Sequence, residues 1–311
     1  MKNRNAELVS FALTLMLFLG IGTLFVFGTG LIFHESLKHS NPPSFKFIMI
    51  SRDKKSSKTP AAIVQRCQLT FDEQMRNPKF RFLAKHDLKY KYTTKYFLSD
   101  YSGISDAILF NNDTYCLSKI FLFKLSADFQ NLSYHYVLDS QMHGQWLATK
   151  RDKLFISPYN SAKQQYMQLV KGGPLQLVKK NNLYSNLLSL PRYKAQSSSI
   201  YAGYWCETSS LWLFGVYSNN LETGLPAIII TDKHYKYIRN ITLPLFHGKR
   251  VISAISKISD KHDVYAALVS YFDYADNPGN FLYLFSLNGD IILNGKHINT
   301  RYSFQSIVFL P

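Results

Sequence analysis

Two hydrophobic patterns divide the chain. The first is an unbroken apolar run from Leu8 to Phe33, LVSFALTLMLFLGIGTLFVFGTGLIF, which holds no charged residue. It outlasts the ~20 residues that cross a bilayer as a helix. Met1, Lys2 and Arg4 form a short basic front before it. A cleaved leader has an apolar core of roughly 7–15 residues that ends at small residues. This run is longer and no Ala-x-Ala follows it, so it predicts an uncleaved, single-pass signal anchor. Such an anchor sends the large C-terminal part out of the cytoplasm, to a periplasm, cell surface or lumen. The expected layout is a tail at 1–7, a transmembrane segment at 8–33, a linker at 34–60 and a β-rich domain at 61–311. The linker assignment rests on Pro42-Pro43 and on the charged stretch Arg52 to Thr59.

The second pattern is a recurring strand–turn–strand rhythm with no long helical period. Ile120 to Leu125 leads through Ser126 to Asn131 into Leu132 to Leu138. Tyr166 to Val170 leads through Gly172-Gly173-Pro174 into Leu175 to Val178. Ala227 to Ile230 leads through Thr231 to His234 into Tyr235 to Leu243. Phe281 to Leu287 leads through Asn288-Gly289 into Asp290 to Leu293. Asn-Gly between apolar runs marks a hairpin, because such turns need positive φ. Further apolar strands precede these hairpins at Lys153 to Ser157, Leu211 to Tyr217 and Val264 to Tyr271. Met75 to Lys85 is the least strand-like stretch.

The last unit, with DVYAALVSY and FLYLFSLNGDII, resembles a β-propeller blade, and blades take roughly 40–50 residues. About five such units fit the domain, with Ser303 to Leu310 placed to pair with an early strand and close a ring. No Trp-Asp dipeptide at blade ends, kelch Gly-Gly pattern or Asp-box accompanies them. The expected fold is therefore all-β and propeller-like, with about five blades behind one N-terminal transmembrane helix; a β-sandwich is the alternative.

Charge changes the picture next. Lys and Arg number 36 against 20 Asp and Glu, a net charge of +16. Almost all of that excess lies after residue 40, and a basic surface favours anionic partners. One stretch concentrates it: Arg76, Lys79, Arg81, Lys85, Lys89, Lys91 and Lys95, interleaved with Phe80, Phe82, Tyr90, Tyr92 and Tyr96. These seven cations are the candidate anionic-ligand site. Beyond a membrane, lipid headgroups, anionic glycans or an acidic protein suit such a strip better than nucleic acid. The lipid bilayer itself is the other expected partner.

Chemistry leaves weaker traces. Gly-x-Ser-x-Gly, His-Glu-x-x-His, Walker A and Gly-x-Gly-x-x-Gly are all absent. The three cysteines, Cys67, Cys116 and Cys206, form no Cys-x-x-Cys pair, so neither a metal site nor a cofactor is expected. Glycoside hydrolysis needs two carboxyls in one cleft, and Asp106, Glu207 and Asp273 are the candidates, each flanked by apolar or aromatic residues. Acids at strand ends are also ordinary turn residues. The expected function is a membrane-anchored, non-enzymatic binding or scaffold domain with a basic surface for an anionic partner. A membrane-anchored glycan hydrolase is the alternative.

Overall fold

The computed structural model describes residues 42–52, 62–90, 104–118, 121–137, 144–151, 153–158, 165–170, 177–181, 200–216, 227–244, 250–259, 261–271, 279–298 and 303–311. The 8–33 run lies outside them. Among the described residues no helix is long and apolar enough to cross a membrane.

Among the described residues all regular structure is β. Strands β1 (Ser44–Arg52), β2 (Ala62–Thr70) and β3 (Lys79–Asp87) run antiparallel in sequence. A short strand β4 (Lys89–Tyr90) then joins the next sheet, made of β5 (Ile104–Phe110), β6 (Asp113–Ser118), β7 (Phe121–Leu125) and β8 (Asn131–Val137). The third sheet holds β9 (Gly144–Lys150), β10 (Lys153–Pro158), β11 (Gln165–Val170) and β12 (Leu177–Asn181). The fourth holds β13 (Ile200–Cys206), β14 (Leu211–Val216), β15 (Ala227–Thr231) and β16 (Tyr237–Thr242). The fifth holds β17 (Arg250–Ser259), β18 (His262–Tyr271), β19 (Asn280–Phe285) and β20 (Ile291–Ile298). The final strand, β21 (Ser303–Phe309), returns to pair with β1, from Phe47↔Phe309 to Arg52↔Ser303.

Four of these sheets have the four-stranded antiparallel make-up of a propeller blade, and the one carrying β4 as an extra parallel strand departs from it. The arrangement is propeller-like. Strands β5, β9, β13, β17 and β21 pack against one another in that order, and β21 packs back on β5. Five apolar clusters fill the gaps between neighbouring sheets. Phe47 and Leu69 meet Leu268 and Leu284 in one; Leu213 and Ile230 meet Tyr265 and Phe285 in another. Ile48 and Val64 meet Phe123; Trp146 meets Trp212 and Phe214; Leu117 meets Leu154. Middle strands are thus covered on both faces, and they read as continuous apolar runs for that reason. AIIIT and NFLYLF are buried throughout, whereas the outer strand YIRNIT is largely exposed.

The innermost strands share a device that no motif announced. Each carries a register shift near its start, skipping Ser105, Gln145, Tyr201, Ser253 and Gln305. A bulge bends the strand and strengthens its twist, which suits strands converging on an axis.

Two sequence expectations need correcting. Residues 44–52, assigned to the linker, form β1, and Phe47, Ile48, Met49 and Ile50 are fully buried. Pro42 and Pro43 directly precede β1. The stretch 75–85, judged least strand-like, contributes most of β3. Its pairing with β2 outweighs its polar composition.

Candidate functional site

The basic stretch becomes an edge strand. Among the described residues β3 pairs only with β2 and is the outer strand of its sheet. The turn leading into it is built on Asp72, whose carboxylate accepts the Arg76 amide at 2.6 Å and the Asn77 side chain at 2.8 Å. Met75 takes a left-handed conformation there (φ 58°). The same turn recurs at Ser126, Asp232 and Ser286. In each, a side-chain oxygen accepts the amide four residues on, and the residue before that amide has positive φ.

Arg76, Lys79 and Arg81 are exposed, and among the described residues none forms an ion pair. Lys85 sits 3.6 Å from Asp87, a surface pair of little energetic weight. Phe82 and Leu83 follow Arg81 along the strand, 44% and 38% exposed, and the Phe82 ring meets Phe80 edge-on at 5.0 Å. Lys89 belongs to β4, while Lys91 and Lys95 lie outside the described residues. The strip extends inward through a residue the sequence did not single out. Lys46 on β1 is level with Gln68 on β2, which is level with Arg81 on β3. Only strand register brings Lys46 into line, so no sequence spacing could have revealed it.

A cavity of about 730 Å³ lies among the innermost strands. Its lining includes Lys46, Asp106, Leu147, Tyr204, Lys257 and Val308. Asp106 is the acidic side chain in that lining, and it is 6% exposed. Its Oδ2 accepts the Leu147 amide of β9 at 2.7 Å, and its Oδ1 accepts the Ala107 amide at 2.8 Å. Ser306 of β21 accepts that Ala107 amide at 2.9 Å and donates to the Ala107 carbonyl at 3.0 Å. Asp106 and Ser306 therefore stitch β21, β5 and β9 together. Burial strips the carboxylate of water and raises its pKa to about 7, against the pull of the two amides and the Ser306 hydroxyl.

Glu207 sits elsewhere, in the turn after β13. It accepts a hydrogen bond from Trp205 Nε1 and lies 3.6 Å from Arg151. These residues line a smaller cavity of about 240 Å³ with Thr149, Tyr204 and Lys257, which the larger cavity shares. Asp273 lies outside the described residues. Asp106 and Glu207 are thus on different walls, each already engaged.

Cys67, Cys116 and Cys206 are all free and buried. Burial pushes the first two thiols up, with Asp106 adding to the effect at Cys116. Burial also acts on Cys206, but hydrogen bonds from Ser209, Thr208 and Tyr265 outweigh it and leave the thiol lowered. Among the described residues no group of three His, Cys, Asp or Glu side chains is placed to hold a metal.

No family model matches the sequence, and no curated protein matches it. Solved structures align with much of the chain. A Bacteroides caccae protein of unknown function aligns over 86% of this chain and 99% of its own, at 5% identity and a TM-score of 0.46. The WD40 domain of Neurospora crassa Pan2 aligns over 84% of this chain and 67% of its own, at 6% identity and a TM-score of 0.39. Kuenenia stuttgartiensis hydrazine synthase aligns over 64% of this chain and 50% of its own, at 8% identity and a TM-score of 0.36. With TM-scores below 0.5, these likenesses carry nothing about function.

Proposed function

We propose that this chain is a membrane-anchored, non-enzymatic binding or scaffold domain, held by residues 8–33 on the extracytoplasmic side, with a five-bladed ring whose basic edge takes an anionic partner. The observation that carries the reading is the outer edge of β3, which among the described residues pairs only with β2. Arg76, Lys79 and Arg81 stand there exposed, with no ion-pair partner among the described residues, and Phe82 and Leu83 follow along the strand. Cations left unpaired next to exposed apolar side chains suit a surface that a partner covers. Five sheets, five inner strands packed in cyclic order and five apolar clusters support the blade count.

The test is binding of the full-length protein, in detergent, to immobilised heparin across a salt series. Binding should weaken steeply with salt, as screening dictates. The double variant Lys79→Glu/Arg81→Glu should weaken it by at least about tenfold, while Lys296→Glu, exposed on β20, should not. Equal binding by the two variants overturns the reading.

Asp106 favours a glycan hydrolase as the second reading, because a cavity carboxyl with a raised pKa is the form a general acid takes. Against it, the described residues that line the 730 Å³ cavity offer no second acidic side chain, and glycoside hydrolysis draws on two.

A further inference from the structure

We propose that the anionic partner of the basic edge is the bilayer that holds the chain: the face formed by Lys46, Arg76, Lys79 and Arg81 lies on anionic phospholipid headgroups. The inference rests on the membrane-anchored reading above and names its partner.

Three observations carry it. The first is where the chain enters the domain. The Phe71 amide donates to the Pro43 carbonyl at 2.9 Å, so Pro43, just ahead of β1, lies against the start of the turn that holds Arg76 and leads into β3. The second is register. Ser44, Thr70 and Lys79 are level across the three strands, and so are Lys46, Gln68 and Arg81. The cations therefore form one row at the end of the sheet where the chain enters, from the second strand of that sheet to its outer edge. The row is polar on one face only; Phe45, Leu69 and Phe80, alternating with it, belong to the apolar cluster on the other face. The third is tether length. Between Phe33 and Pro42 the chain can reach at most roughly 30 Å, while a domain of this size is roughly 50 Å across. The end where the chain enters is the end that such a tether holds at the headgroups.

The charge suits that surface. Asp72 and Glu73 in the same turn offset part of it, leaving the four cations of the face in excess over these two acids. Anionic headgroups attract clustered Lys and Arg within a Debye length, and salt screens the attraction.

The experiment reads lysine acetylation by mass spectrometry, with the full-length protein in nanodiscs of phosphatidylcholine alone or of phosphatidylcholine with phosphatidylglycerol. Lys46 and Lys79 should be acetylated several-fold more slowly in the anionic discs, and exposed Lys296 equally in both. High salt should abolish the protection, and Arg81→Glu should weaken it at Lys46 without changing the rate at Lys296. Equal rates for Lys46 and Lys79 in the two discs overturn the inference. If heparin binding survives in that case, the basic edge still serves an anionic partner and only the lipid assignment falls. If both are lost, both readings fall. Failure of the chain to enter discs overturns the anchor and the inference together.

Discussion

Asp106 is held where protonation and ring closure meet. Folding raises its carboxyl to about 7, so over the interval above its ordinary value the folded chain keeps a proton that the unfolded chain has released. The stability it contributes is complete below about pH 4 and is lost as pH rises through about 7. The thermal midpoint should therefore fall across that interval, and Asp106→Asn should flatten the fall. The amide side chain also turns a donor toward one of the two backbone amides, at a cost of about 1–3 kcal/mol. Unchanged pH dependence in Asp106→Asn would remove Asp106 from this role. Gly203 is a second residue-scale test. A Cβ there would overlap the Trp146 ring, so Gly203→Ala should destabilise by about 1–3 kcal/mol. The chain's three tryptophans, Trp146, Trp205 and Trp212, share one cluster, so tryptophan fluorescence should report the change. At this scale the sequence was half legible. The cations of β3 could be named, but Lys46 and Ser306 reach their places only through register between distant strands.

Turns and edges set the elements. The hairpins around 128, 172, 233 and 289 were legible because turn residues punctuate apolar runs, and each is observed as an antiparallel pair. The β2–β3 hairpin was not, because DEQMRNP resembles a loop until Asp72 folds it into the same turn as Asp232. Asp72→Ala should cost about 1 kcal/mol, measured by denaturant midpoint, whereas Gln74→Ala in the same turn should be close to neutral. β1 was hidden by the prolines before it and the charged stretch after it. The bulges of the inner strands were not legible at all, since they answer to the ring and not to local sequence.

The whole molecule depends on its last strand. β21 pairs with β1, packs on β5 and β17, and supplies Ser306 to the β5–β9 junction. Stopping the chain after Ile298 would expose the inner edge of β1 and open two apolar clusters. We expect that truncation to abolish cooperative unfolding, as followed by tryptophan fluorescence; a cooperative transition near the full-length midpoint would show that closure is dispensable. The apolar runs and the final strand were enough to anticipate a ring, because strands covered on both faces leave a strong signal. The proposed function was less legible, because the row of cations it rests on is assembled only by register between strands.

The central claim is that this basic domain hangs from a membrane outside the cytoplasm, and the most direct test is a C-terminal reporter active on only one side. Activity outside the cytoplasm, lost when residues 8–33 are removed, is the expected result. Activity in the cytoplasm, or a chain that stays soluble with residues 8–33 intact, would contradict it.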